Sequence, residues 1–276
     1  MALGHTVKLM PPGYVKPYVK RQKNDMVDAE AICEAVTRPT MRFVPVKGAE
    51  QQSILVLHRT RELLIRQRTM LINAFRGHLA EFGIITQQGR LGVTTLIALI
   101  EKDNDELIPT MAREALLVAV NQLRETHKRI GAIERKIQLW HRSNEQSRRL
   151  ETIPGIGPIT ASAIVATITD ASLFRCGREL AAWIGLVPRQ HCSGGKQRLG
   201  HITKKGDSYI RRLLVVGAHA VLKVARQVED LMSRWAAALL ARKPYKLAAV
   251  ARANKMARIV WALLTKKEAF RVHLVF

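Results

Sequence analysis

Apolar positions recur at helical spacing in two long stretches of this chain. In the first, Ile54, Leu57, Leu64, Met70, Leu71 and Phe75 repeat between Gly48 and Phe82-Gly83, which bound the pattern as a start and a stop. In the second, from about 110 to 147, the stripe is Leu116, Leu123, Ile130, Ile133, Ile137 and Trp140. Two long amphipathic helices usually pair, so residues 48–147 are predicted to form an antiparallel helical hairpin or coiled coil, with a small insert between about 84 and 109. Two ordinary core helices are the alternative.

The flanking segments read differently. The apolar run 5–10, ended by Pro11-Pro12-Gly13, predicts a strand and its turn. A lone strand needs sheet partners, yet only four residues precede it and no later run looks strongly strand-like, so the chain is expected to begin inside a domain. After the basic stretch 16–23, Asn24 is the expected N-cap of a helix over 25–37 that ends at Arg38-Pro39. From Leu150 onward short helices rich in small residues alternate with glycine turns. The final stretch, 231–264, carries Trp235, Leu239, Leu240, Ala249, Ala253, Ala257 and Trp261 and predicts two tightly packed helices broken at Lys243-Pro244. The fold class is therefore mostly α, in three regions: 1–47, 48–147 and 148–276.

Charge changes the picture. The 276 residues include 45 Lys and Arg against 22 Asp and Glu, a formal charge of +23. A globular chain this basic has a polyanion as its normal neighbour, nucleic acid or anionic membrane. The longest uncharged stretch, 153–169, opens with a glycine-proline turn and is threaded with Thr and Ser, so no membrane span is expected. Cys33, Cys176 and Cys192 are odd in number and share no CxxC spacing. That argues against a disulfide framework or a zinc ribbon, fits a reducing setting, and, with no export signal visible, predicts a cytoplasmic protein.

Three segments could carry chemistry. The sequence Leu150-x-x-Ile153-Pro154-Gly155-Ile156-Gly157-x-x-x-Ala161 is the pattern of a helix-hairpin-helix, in which Gly155 and Gly157 would bring backbone N–H groups to a nucleic-acid phosphate; a plain turn between core helices is the alternative. The segment 189–212 holds Arg189, Lys196, Arg198, Lys204, Lys205, Arg211 and Arg212 against one acid, Asp207. It sets Ser193-Gly194-Gly195 on a flexible cationic loop where a phosphodiester could be held, although serine is also an ordinary loop residue. Cys192 is intrinsically the better nucleophile, and His191 could be a base or half of a metal pair. Asp25 and Asp28, at i and i+3, share a helix face and could share Mg²⁺, or could simply compensate the helix dipole.

Taken together these segments resemble the IS110-type transposases, the IS1111 branch included, which are bridge-RNA-guided DNA recombinases. The resemblance rests on Lys23-Asn24-Asp25-Met26-Val27-Asp28-Ala29, Ile153-Pro154-Gly155-Ile156-Gly157, and Gly185-Leu186-Val187-Pro188 leading to Ser193-Gly194. Gly200-His201-Ile202-Thr203-Lys204-Lys205-Gly206-Asp207, Ile210-Arg211-Arg212-Leu213 and Ala253-Asn254-Lys255-Met256-Ala257-Arg258 complete it in order along nearly the whole chain. The resemblance implies a partial RuvC-like, RNase-H-related α/β domain whose last two Mg²⁺-binding acids are Asp25 and Asp28. It further implies a coiled coil for assembly into a dimer or tetramer, and a C-terminal domain whose nucleophile is Ser193. The implied partners are DNA and a structured guide RNA, the implied setting is the nucleoid of a prokaryote, and the implied reaction is attack of Ser193 on a DNA phosphodiester, leaving a phosphoserine link and a 3′-hydroxyl. The family's first aspartate and its glutamate have no counterpart after Met1, so a truncated copy with impaired catalysis is expected. A non-catalytic basic DNA- or RNA-binding protein that modulates an intact relative is the competing expectation, and a nuclease of the Holliday-junction type a weaker one.

Overall fold

A computed structural model describes residues 4–20, 24–102, 107–196, 198–225, 227 and 231–271. Lys23 of the first motif and residues 103–106 of the predicted insert lie outside the described residues. The chain forms two compact units, 1–52 and 53–276.

In the first unit, α1 (Pro12–Val15) opens with proline at its first turn and leads into a 3-10 turn, Lys16–Tyr18. The expected strand over 5–10 is corrected: Leu9 forms only an isolated antiparallel bridge with Val44, whose N–H donates to Leu9 O at 2.7 Å. Pro11 and Pro12 carry no N–H, so the ladder cannot continue past them. Helix α2 (Asp25–Thr37) begins as expected, with the Asn24 side chain accepting from Val27 N at 2.8 Å, and ends at Arg38 before a proline.

The long helices follow the sequence pattern closely. They are α3 (Ala49–Glu81) and α5 (Thr110–Ser143), with α4 (Arg90–Glu101) between them. Phe75 and Leu79 of α3 share a buried cluster with Leu96 and Ile100 of α4 and with Leu116, Val120 and Leu123 of α5. Earlier on α3, Arg61 pairs at 2.7 Å with Glu134, later on α5, so the two run antiparallel. Met70, expected in the first stripe, is instead exposed, as are Val56 and Leu63 at seven-residue intervals before it along α3. The second pattern breaks at Asn144, because its side chain accepts from Ser147 N and starts a new helix, α6 (Glu145–Glu151).

The remaining helices are α7 (Pro158–Thr167), α8 (Gly177–Ile184), α9 (Ser208–Val224), α10 (Leu231–Arg242) and α11 (Tyr245–Lys266). Among the described residues the sheet is one antiparallel pair, β1 (Pro188–Gln190) and β2 (Leu199–Ile202). The architecture is mostly α, and no described helix is long and apolar enough to cross a membrane. Helix α11 is the hub, packing on α6, α8, α9 and α10. Alanines make up half of its buried face: Ala248, Ala249, Ala253 and Ala257, beside Arg252, Met256, Val260 and Leu263. Neighbouring backbones come close for the same reason. A Cβ on Gly177 would stand 2.9 Å from Arg258 Cα, and one on Gly217 would stand 1.9 Å from Gly155 O. Arg252, fully buried on α11, donates to Pro154 O at 3.2 Å and fixes the same turn.

A buried polar knot joins α3 to α7 and α9. Ser162 donates to Pro158 O at 2.6 Å, so its oxygen is left to accept from His58 Nε2–H at 3.1 Å, and Tyr209 O–H donates to His58 Nδ1 at 3.0 Å. This satisfies a neutral imidazole. Burial, reinforced by the Arg61 charge, pushes the His58 pKa down to about 4.

Two expected outcomes follow from this packing. The unfolded chain protonates His58 near its ordinary value of 6.5 while the folded one resists to about 4. Stability contributed by the neutral ring is therefore complete above pH 6.5 and declines as pH falls toward 4, by on the order of 3 kcal/mol. Denaturant titrations of the parent and His58→Gln across that window measure it; parallel pH profiles would refute it. Gly217→Ala should cost about 1–3 kcal/mol by overpacking. Gly157→Ala, where a Cβ meets nothing within 4 Å, should be near neutral in thermal unfolding.

Candidate nucleic-acid interface and serine hairpin

The loop expected to be flexible is a β-hairpin with a clamped base. Helix α8 ends on Gly185, whose positive φ of 80° lets Leu186 N–H reach Ala181 O and Gly185 N–H reach Ala182 O, a Schellman closure. Asn254 of α11 donates to Leu186 O at 3.2 Å, which holds the strand leaving that turn. On the returning side, Lys204 N–H donates to Gly185 O at 3.2 Å, and a Cβ on Gly206 would stand 1.8 Å from Trp183 O. Arg211 donates through one nitrogen to both Ile184 O and Lys205 O at 2.8 Å. Asp207, the one acid of the segment, caps α9 by accepting from Tyr209 N and Ile210 N.

The register then sorts the side chains. Gln190 pairs with Leu199 and Ser193 with Lys196, while His191 N–H donates to Arg198 O at 2.9 Å. Gly194 and Gly195, at φ 55° and 75°, make the two-residue turn that only such residues accept readily. Since alternate residues of a strand face opposite sides, Arg189, His191, Ser193, Lys196 and Arg198 fall on one face, and Gln190, Cys192 and Leu199 on the other. Contacts at Gly200 agree: a Cβ there would meet the His191 ring at 3.5 Å and Arg189 Cβ at 3.9 Å. An open concavity of about 590 Å³ lies at the tip and is reached from both faces, by His191, Ser193, Lys196 and Arg198 of the one and by Gln190 and Cys192 of the other. Every described residue from 188 to 201 is exposed, and 188–206 contains no acid.

The sequence-selected basic residues divide into two groups. Lys196, Arg198, Lys204 and Lys205 are exposed and enter no ion pair among the described residues. Arg211 is engaged at the hairpin base, and Arg212 pairs with Glu62 at 2.8 Å while lying over the Tyr209 ring. In the turn 152–157, Gly155 has φ 94° and faces Gly217 of α9, so backbone packing accounts for this glycine. Gly157 is the exposed N-cap of α7, with open space where a side chain would be. Pro158 at the next position has no N–H to offer a ligand.

Asp25 and Asp28 belong to the first unit, in the first turn of α2, and both carboxylates are exposed. Among the described residues no group of three or more His, Cys, Asp or Glu side chains could hold a metal ion. One constellation had no sequence signal. His141 Nδ1 lies 2.7 Å from Ser147 Oγ and its Nε2 2.8 Å from Glu151 Oε2, a serine–histidine–acid chain between α5 and α6. Ser147 has no exposed surface, so no substrate can reach it and the chain serves to tie the helices.

Comparison with known proteins adds a separate line. Residues 147–233 match the family model described as Transposase IS116/IS110/IS902 family, and residues 2–84 match a second, described as Transposase, of the IS110 DEDD type. The chain is 49% identical over 270 residues to a probable family 20 transposase of Pseudomonas aeruginosa, covering 98% of this chain and 80% of that one. It is 40% identical over 272 residues to the transposase for insertion sequence element IS1111A of Coxiella burnetii, covering 98% and 74%. It is 39% identical over 269 residues to the transposase for insertion sequence element IS1328 of Yersinia enterocolitica, covering 97% and 79%.

With so many free cations on one hairpin, nucleic-acid affinity should fall steeply between low and moderate salt. Replacing Lys196, Arg198, Lys204 and Lys205 together by Ala should weaken binding and flatten that dependence, as read in a fluorescence titration. A salt-independent curve, or no change in the quadruple variant, would refute the assignment.

Proposed function

Because the chain belongs to the IS116/IS110/IS902 family of insertion-sequence transposases, we propose that it cuts and rejoins DNA strands with Ser193 as the nucleophile. The observation that carries this reading is the hairpin register, which gathers the Ser193 hydroxyl with Arg189, Lys196 and Arg198 on one face of a ribbon that has no acid. A phosphodiester approaching that face meets three cations that offset its charge and, as it gains charge in the transition state, stabilise it further. Ser193 Oγ attacks phosphorus, a phosphoserine forms, and the 3′-hydroxyl released by one strand gives way to that of another. The clamped base limits how far the hydroxyl can wander from an in-line position.

Asp25 and Asp28 fit Mg²⁺ in donor chemistry: two exposed carboxylates one helical turn apart, a set that Mg²⁺ completes with water and phosphate oxygens. When bound, the ion would supply charge neutralisation at the phosphodiester. Gly157, at the open start of α7, and the free lysines Lys204 and Lys205 are read as contacts to the backbone of the DNA, or of a structured guide RNA, outside the reacting phosphate.

The test is capture of a covalent protein–DNA adduct on duplex DNA carrying the element's end, in the presence of Mg²⁺. Ser193→Ala should abolish the adduct while leaving DNA binding near normal, and Asp25→Ala or Asp28→Ala should lower it by at least about 100-fold. An adduct that survives Ser193→Ala would transfer the role to Cys192. Salt-dependent binding with no adduct from the parent chain would leave a binding protein without chemistry.

A further inference from the structure

We propose that the stacked rings of His219 and Tyr245 form a platform for an unpaired nucleobase, a second nucleic-acid contact that shares no residue with the serine hairpin. The inference rests on the nucleic-acid substrate of the proposed function but not on Ser193. The ring centroids lie 5.2 Å apart and the planes 29° from parallel, the imidazole coming from α9 and the phenol from the first residue of α11. Tyr245 O–H donates to His219 O at 3.2 Å, so the phenol is held at its hydroxyl as well as by the imidazole. Yet Tyr245 remains 41% exposed. A tyrosine that served only to tie α11 to α9 would sink its ring between them. Here the imidazole covers one side and the hydroxyl is bonded, so the exposed area belongs to the other face and the edge of the ring.

The surroundings suit a ligand that carries phosphates. Lys223 follows His219 by one turn on the same side of α9, and Lys243 and Lys246 flank Tyr245 in sequence. All three are exposed and enter no ion pair among the described residues. Helices α9, α10 and α11 contain no acid, nor does any position from 231 to 267. Glu229 and Asp230, between α9 and α10, lie outside the described residues.

The combination discriminates among nucleic acids. Lysines alone serve any phosphate backbone, paired or not. An aromatic face adds affinity only where a base can lie flat on it, and the bases of a duplex are covered by one another and present their edges. The ligand is therefore a nucleotide out of the helical stack, in single-stranded DNA or in a loop of RNA. Every base has such a face, so the contact tolerates any sequence, and a ring already fixed by two partners loses little freedom on binding.

Photocrosslinking reads the contact on the parent chain. Single strands of DNA and of RNA carrying 5-iodouracil are irradiated with the full protein, and the attached residue is identified by peptide mass spectrometry. The crosslink should fall on Tyr245; its formation with DNA, with RNA or with both identifies where the unpaired nucleotide comes from. In anisotropy titrations Tyr245→Leu, which keeps apolar bulk but loses the aromatic face, should weaken single-strand binding on the order of 10-fold and leave duplex binding as it was, while Tyr245→Phe should bind like the parent. No crosslink at Tyr245 from either strand, single-strand binding unchanged in Tyr245→Leu, or an equal loss for single strand and duplex would each overturn the proposal. The crosslink requires no variant, so the outcome does not depend on how well Tyr245→Leu folds. A crosslink at Tyr245 in a chain that forms no Ser193 adduct would refute the catalytic reading and leave this platform standing; an adduct without the crosslink would do the reverse.

Discussion

Close approach of main chains is the constraint on which the C-terminal half depends. Helix α11 brings α8 and α9 together with an inner face that is half alanine, and glycines stand at the closest approaches of neighbouring backbones. Gly155 against Gly217 fixes the turn before α7; Gly177 against Arg258 fixes the start of α8; Gly206 against Trp183 fixes the root of the hairpin. Buried Arg252 and half-buried Asn254, on the same helix, then hold carbonyls of the chain segments so positioned. The motifs from Ile153 onward are thus parts of one packed assembly, in which glycine and alanine set distances and a few polar side chains set orientation.

Within that frame the excess of positive charge has two uses. Arg211, Arg212, Arg61 and Arg252 bind carbonyls or carboxylates of the chain itself and join elements far apart in sequence. Lys196, Arg198, Lys204 and Lys205 have no such obligation and project from a ribbon with no acid to offset them. A net charge counted from composition treats these groups alike, whereas their partners separate cations that build the fold from cations available to a phosphate.

Much of this was legible before any coordinates. Helix α2 with its Asn24 cap, the two long helices and the break at Lys243-Pro244 follow from strong local signals: a side-chain cap, a sustained 3.6-residue stripe, a proline. Residues 5–10 misled because an apolar run signals burial without guaranteeing a partner strand; Leu9 makes one isolated bridge, and the two prolines that follow stop it from being extended. The hairpin around Ser193 was hidden for the opposite reason. Its strands are short, exposed on both sides and polar, so no alternation announces them, and their pairing is imposed by anchors more than 50 residues away on α11. The basic character of the segment could be read from the sequence; which side chains share a face could not, because one residue of register decides it.

The contacts at the root of the hairpin have one property in common: they are made to carbonyl oxygens. Ile184, Gly185, Leu186 and Lys205 are held through main-chain atoms, by Arg211, by Lys204 N–H and by Asn254. Any residue supplies such an atom. The tip between those anchors can therefore drift in composition and in length over evolutionary time without endangering the domain beneath it, and selection on what the tip recognises is free to proceed apart from selection on whether the protein folds.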